Sequence, residues 1–493
     1  MRTRITLIAL LFMVFCPVSW AQEAATTPPA TQPTEREVVA TSQPTTAPAT
    51  QPAGLPTPNY SGDLLSRSTL TGDWGGLRNK VAEKGVTLDV NVLQFLQGNA
   101  YGGRSTHNAF GYSGNAEYGL FFDFQKMGLW EGAFAKVRGE TKWGQGVTED
   151  VGAISPPNFN DLLPVPGHSG LTTLTEYWFM QYVSKELGFV AGMVDLTALP
   201  GGNVFHGDRY TQFMNTSIWY PPVAFSTVPY SAMTAGAFYT PTKWFDGATL
   251  IFDSYGTPTY SGFETAFHPP HGMTLLQSFN FHIKPFGQAG TQRLFLTYST
   301  RDRYPLDQLG RLVLTGVGTP QFDRLGLART AVTGGRNLRL RNQLARAALR
   351  KALAPEPESP NWSFFYDFDQ YLYTSPNDPN QGFGFFGGFG WSPGTVNPMA
   401  QSYSLGLGGM GLIPTRPRDR YGAGYYYINV ANALPDALNA NAEQGIELFY
   451  NVEVTPWLHI TPDLQFIIYP GGDTGPSARN PAIVYGLRMQ MSL

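Results

Sequence analysis

The last twelve residues of the chain, Ala482 to Leu493, alternate apolar and polar side chains up to its end. Ile483, Tyr485, Leu487, Met489, Met491 and Leu493 share one face of an extended chain, while Arg488, Gln490 and Ser492 share the other. A strand with nothing after it to cover its free edge invites edge-to-edge pairing in a water-soluble protein, and closure of the sheet into a barrel removes that edge. With lipid outside and water inside, a barrel also explains the alternation.

The other end of the chain carries an export signal. Arg2 and Arg4 precede the apolar run from Ile5 to Val18, and Ser19-Trp20-Ala21 offers small residues for a signal peptidase, so cleavage is expected after Ala21. No later stretch approaches the ~18 consecutive apolar residues of a transmembrane helix, so any membrane passage falls to strands. Cys16, the sole cysteine, leaves with the leader, which rules out disulfides and thiol chemistry in the mature chain. Of the 33 basic residues, the loss of Arg2 and Arg4 leaves 31 against 36 acidic ones, a balance that does not suit a nucleic-acid partner. The 55 glycines, 25 tyrosines and 33 phenylalanines suit a barrel with aromatic belts.

Residues 22–58 are rich in Thr, Pro, Ala and Gln and hold too few apolar groups for a core, so a disordered spacer is expected. A plain tether and an arm reaching toward the cell wall both fit. Residues 59–85 follow as a segment with one short helix. Asp73 is placed to cap it, Leu77 and Val81 share a face, and Gly85 suits its end.

From residue 86 the spacing predicts sixteen strands, near residues 86–97, 115–124, 132–142, 174–184, 189–195, 232–240, 247–255 and 273–284, then 292–300, 362–373, 382–391, 400–408, 420–429, 445–455, 458–469 and 482–493. Short and long gaps are expected to alternate, as periplasmic turns and outer loops do on an even-stranded barrel with both termini in the periplasm. The expected fold is all-β: a transmembrane antiparallel β-barrel of about 16 strands over residues 86–493. In the longest loop Arg329, Arg336, Arg339, Arg341, Arg346, Arg350 and Lys351 stand without an acid among them, and residues 337–353 have the stripe of an amphipathic helix. That helix fits a solvated surface, a pore mouth or a site for lipid phosphates.

Nothing in the sequence assembles a catalytic or metal centre. His268-Pro-Pro-His271 sits in a proline turn that does not aim two imidazoles at one ion, Ser402 to Gly406 lacks a nucleophile-elbow pattern, and no Gly-Lys-Ser/Thr follows the glycines of 384–390. Charge on inward strand positions is what stands out. Lys136, Arg138, Glu140 and Lys142 share one face of the third strand, and Asp367 and Asp369 share one face of the tenth. Glu117, Asp123, Glu447, Glu453 and Arg488 take the same sidedness in the second, fourteenth and last strands. Mixed charge in a narrow passage can hydrogen-bond hydroxyl groups without fixing an ion, and it can equally well only solvate the lumen. Trp143, just past the third strand, fits either a sugar ring or a membrane belt.

Several stretches together resemble the carbohydrate-selective porins of bacterial outer membranes, the OprB-type family. They are Leu-Thr-Gly-Asp-Trp-Gly-Gly-Leu-Arg at 70–78, Phe-Tyr-Asp-Phe-Asp-Gln-Tyr-Leu-Tyr at 365–373, the glycine and phenylalanine run at 382–391, and the stretch 408–425. The resemblance implies a sixteen-stranded barrel in the outer membrane, with a narrowed, charged eyelet that passes monosaccharides such as glucose and, in some members, other small sugars or polyols. It implies neither a cofactor nor catalysis. A pore for other solutes on the same architecture, or an outer-membrane β-barrel enzyme, is the alternative. Leu493 departs from the aromatic residue that usually ends such barrels, and the basic stretch and the spacer map to no feature of the family.

Overall fold

The strand alternation closes on itself. In the computed structural model, which describes residues 55–162, 171–257, 271–308, 361–411, 413–435, 439–476 and 478–493, sixteen antiparallel strands form one closed barrel in sequence order. They are β1 (Val86–Tyr101), β2 (Phe110–Asp123), β3 (Ala133–Gln145), β4 (Leu171–Tyr182), β5 (Leu187–Asp195), β6 (Ser231–Thr242), β7 (Phe245–Asp253) and β8 (Met273–Ile283). The second half comprises β9 (Gly290–Ser299), β10 (Asn361–Ser375), β11 (Asp378–Trp391), β12 (Met399–Met410), β13 (Arg420–Val430), β14 (Ala442–Thr455), β15 (Leu458–Ile468) and β16 (Ala482–Ser492). The seam pairs β1 with β16, Val92 opposite Met491 and Phe95 opposite Arg488. The Leu493 amide then donates to Val90 O at 2.8 Å, so the last residue has no free edge.

Side-chain direction follows the expected alternation. Along β16, Tyr485 and Leu487 are exposed on the outside while Ala482, Val484, Arg488 and Gln490 are buried inside. A charge at mid-strand on the outer face meets hydrocarbon, so Leu487→Arg should cost about 2–4 kcal/mol, the range for a lipid-facing cation at the bilayer midplane. Heat-modifiable gel migration after folding into vesicles reads this out, and a wild-type yield would place Leu487 away from lipid.

The gap rhythm holds only in part. At the end of the barrel that carries the N-terminal segment and Leu493, most connections are short, such as 243–244, 376–377 and 456–457, and the opposite end carries 146–170, 196–230 and 300–360. Two neighbouring pairs break the alternation. Connection 102–109 is no longer than 124–132, because β1 and β2 continue their ladder beyond the expected ends, and 392–398 is no longer than 411–419 although β11 ends at Trp391 as expected.

The N-terminal helix is also not as expected. It spans Leu77–Glu83, here α1, and begins after Gly75 and Gly76 in left-handed conformation, with no side-chain cap. The Asp73 carboxylate instead accepts from Ser61 Oγ and the Gly75 amide. Gly85 ends the helix at φ +86°, as expected of a residue that needs the left-handed region. The leader, most of the spacer, the basic stretch 329–351 and His268 lie outside the described residues.

The interior differs from a water-lined wall. Leu93, Phe95, Leu250, Phe252, Phe295, Phe365, Phe386 and Phe449 point inward and are buried. The expectation that the inward face meets water fails at these positions because two connections fold into the barrel and cover them. One is 146–162, whose Val147 and Val151 pack on Ile467, Ala482 and Val484. The other, 196–230, is the larger.

Candidate functional site: an inward loop pinned to a charged wall

Connection 196–230 is too apolar to stand in solvent. It contains Phe205, Tyr210, Phe213, Ile218, Trp219, Tyr220 and Val223, and each is buried. Its neck is closed by the Leu196 amide donating to Tyr230 O at 2.9 Å. Trp219, Tyr220 and Val223 join a core with Leu250, Phe252, Phe295 and Phe365 of β7, β9 and β10. Phe205, Phe213 and Ile218 join another with Phe386, Tyr426 and Phe449 of β11, β13 and β14.

The glycine-rich inner faces of β11 to β13 receive this loop. A Cβ on Gly424 would stand 2.9 Å from Phe213 and 3.0 Å from Ile218, and one on Gly408 2.9 Å from Phe205. These strands lack side chains where the loop's rings lie against them. In the run 382–391 a Cβ on Gly384 would stand 2.6 Å from Phe205 and one on Gly390 would meet Val223, so this stretch serves as a bed for the loop as well as a strand.

Polar anchors hold the same loop at separate points around the wall. On the side of β2 to β5, Arg138 Nη2 lies 2.5 Å from Asp195 and 3.1 Å from Glu140, its Nε 2.9 Å from Glu176 and its Nη1 3.5 Å from Glu117. Lys136 pairs with Glu176 at 2.9 Å. The loop adds Arg209, which reaches Glu117 at 2.6 Å, and Tyr210, whose hydroxyl donates to the same carboxylate at 2.5 Å. Tyr230 donates to Glu140 at 2.5 Å. Burial pushes the Tyr210 phenol well up, so it remains a neutral donor. Burial alone would lower the Arg209 guanidinium, but Glu117 together with Tyr210 and Tyr230 outweighs it and holds the pKa above its ordinary value.

A second anchor lies on β10. Asn203 donates to both Asp367 oxygens at 2.9 and 2.8 Å, His206 Nε2 stands 3.0 Å from Asp367, and Arg293 reaches Asp369 at 2.5 Å. The third lies across the seam. Glu447 accepts from the Met214 and Asn215 amides at 2.6 and 2.9 Å, and Arg488 donates to Arg209 O at 3.1 Å and Gln212 O at 2.6 Å. Glu443 holds the neighbouring connection through the Ile154 and Ser155 amides at 2.6 and 2.8 Å.

Thus the structure gathers Glu117, Lys136, Arg138 and Glu140 into one network, and it brings Asp367, Glu447 and Arg488 to the same loop from other directions, while Asp369 reaches it only through Arg293, which donates to Gly202 O. Three of the expected positions stand apart. Asp123 sits at the rim, accepting from the Leu55 and Lys126 amides. Glu453 pairs with Arg418 at 3.0 Å at that same end. Trp143 lies on the outer face, where its Nε1 donates to Tyr112 Oη at 3.2 Å. Sequence reading missed Asn203, His206, Arg209, Tyr210, Glu176 and Asp195, although the aromatic content of 205–225 marks that stretch as one that must be buried.

A closed sixteen-strand barrel narrowed by an inward loop is a channel architecture, and comparison with known proteins agrees. Residues 107–493 match the model of the family described as "Carbohydrate-selective porin, OprB family". The chain belongs to this family. This porin is 22% identical to Porin B of Pseudomonas aeruginosa over 469 residues, covering 89% of the chain and 94% of that relative. A shorter stretch of 112 residues, 22% of the chain, is 33% identical to Porin AaxA of Chlamydia abortus. A structure of Pseudomonas putida OprB at high pH superposes with a TM-score of 0.70 at 21% identity, covering 88% of the chain and all of that structure, which supports the shared fold. As an OprB-family porin, the protein is an outer-membrane channel selective for carbohydrates and not an enzyme.

Proposed function

We propose that the loop segment 203–215 forms the eyelet of this porin, and that small sugars pass at the point where its Asp208 faces Arg420 of β13. The observation that carries this reading is which charges are buried and which keep exposed surface. Arg138, Glu140, Glu117, Arg209, Asp367 and Arg488 are buried against each other or against the loop. Asp208 on the loop and Arg420 on β13 keep 25% and 36% of their side chains exposed, 3.8 Å apart. A neutral polyol gains little from charge of one sign. An acceptor beside a donor can replace the water that a hydroxyl loses in a narrow passage, and an unpaired hydroxyl there would cost about 1–3 kcal/mol.

On this reading the buried charges named from the sequence act on sugar passage by holding the loop. The end with short connections and both termini faces the periplasm, and the long connections face outward, the arrangement usual for outer-membrane barrels. Asp208→Ala and Arg420→Ala, made singly, should raise the half-saturating sugar concentration about fivefold or more, consistent with one lost hydrogen bond. Folding stability should change by less than about 1 kcal/mol in Arg420→Ala, whose side chain is partly exposed, and by about 1–3 kcal/mol in Asp208→Ala, which also removes the acceptor of the Tyr210 amide and Thr211 Oγ1. Liposome flux of sugars against amino acids and phosphate measures the effect. Wild-type saturation in both variants would move the eyelet elsewhere, and equal flux of all solutes would favour a general pore.

A further inference from the structure

We infer that the N-terminal strap, residues 55–85, is a second membrane contact, with apolar side chains that enter the lipid interface at the rim of the barrel. Its path is fixed by contacts at several points of that rim. The Leu55 amide donates to Asp123, Lys126 Nζ to Thr57 at 2.7 Å, and Trp457 Nε1 to Leu64 O at 2.7 Å. The Leu70 amide donates to Ser492 O at 2.8 Å, and Arg78 Nη2 to Leu88 O at 2.6 Å.

The strap buries the wrong residues for a segment that meets only water. In α1, Arg78 and Ala82 are buried, and the Arg78 guanidinium lies 4.0 Å from the Tyr60 ring centre. Leu77 and Val81 are 58% and 38% exposed, and so are Trp74 just before the helix and Leu64 and Leu65 earlier in the strap. Lys80 and Lys84 are exposed on the arc next to Leu77. Apolar groups flanked by lysines suit an interfacial helix, where the apolar groups dip into the acyl boundary and the ammonium groups reach the phosphates.

Two contacts make the strap continuous with the lipid-facing wall. Trp457, which bonds Leu64, lies in the turn 456–457 that follows β14, whose Val454 is exposed. A Cβ on Gly85, at the end of α1, would stand 3.2 Å from Met127, and Met127 shares connection 124–132 with the exposed Trp130, which stacks on Phe124 at 5.2 Å. The occupant is therefore the phospholipid interface next to the barrel wall, in whichever leaflet this rim lies.

The test uses the full chain in phospholipid vesicles, in a Cys16→Ser background so that one nitroxide label can be placed at a time. Leu65→Cys, Val81→Cys and, as control, Glu83→Cys are labelled, and collision with oxygen, which concentrates in lipid, is compared with collision with an aqueous nickel chelate. We expect oxygen to dominate at positions 65 and 81 and nickel at position 83. Nickel dominating at all three would overturn the inference, and so would protection of 65 and 81 from both reagents, which would point to a protein partner. Sugar flux of the labelled channels, measured in parallel, keeps a failure of this contact distinct from a failure of the eyelet assignment.

Discussion

Replacing Arg209 with alanine is expected to free the inward loop from the barrel wall, raising single-channel conductance and abolishing sugar selectivity while the barrel still assembles. Arg209 is 1% exposed and meets Glu117 at 2.6 Å, with Glu140 and Asp195 at 3.7 and 3.6 Å. Its removal leaves buried carboxylates short of a cation, an imbalance that typically costs about 3–5 kcal/mol. The wall can relieve this most cheaply by letting water in, which lifts the loop. The barrel itself is held by its ladders, and no β-ladder runs through Arg209. Adding Glu117→Gln to Arg209→Ala should recover part of the loop's order, since it removes one of the stranded charges. Planar-bilayer conductance and liposome sugar flux check the prediction. Unchanged conductance and selectivity in Arg209→Ala would show that the buried ion pairs do not hold the eyelet.

Phe213→Ala should have a comparable effect by another route. Phe213 is 1% exposed, stands 4.7 Å from the Phe449 ring and 5.4 Å from the Phe386 ring, and lies over Gly422 and Gly424. Truncating a buried phenylalanine costs about 3–5 kcal/mol through lost burial and the cavity left behind. Gly424→Val approaches the same contact from the wall. Its side chain would meet Phe213 and Ile218 rather than strand backbone, and overpacking of this kind costs about 1–3 kcal/mol. Limited proteolysis of the folded barrels should then show new cleavage within 196–230 in both variants, with heat-modifiable migration retained. Wild-type resistance in both would mean that the loop does not depend on this aromatic bed.

Much of the fold is legible in the sequence because a membrane barrel imposes a local rule. Each strand must turn apolar side chains outward and satisfy its backbone sideways, so the period of two in Ile446, Leu448 and Tyr450 against Glu447 and Asn451 is visible without knowing any partner. The same rule identified Lys136, Arg138, Glu140, Glu117, Asp367, Asp369, Glu447 and Arg488 as inward charges. The rule is silent on what an inward charge touches. Strand ends were less legible, since the extra pairs of β2 with β1, from Phe110 opposite Gly98 to Gly114 opposite Gln94, depend on a ladder partner and not on burial in lipid.

About sixteen strands, the sidedness of the second, third, tenth, fourteenth and last, and the resemblance to the family were all readable from the chain, because period, spacing and local motifs survive in one dimension. Tertiary structure alone decided what the inward face is for. Glu117 and Glu447 lie far apart in the chain and on different strands, yet both hold the loop between Asn203 and Asn215, through Arg209 and through the Met214 and Asn215 amides. That convergence depends on closure of the barrel, which sets opposite walls within reach of one loop. The short-range alternation along a strand carries no trace of it.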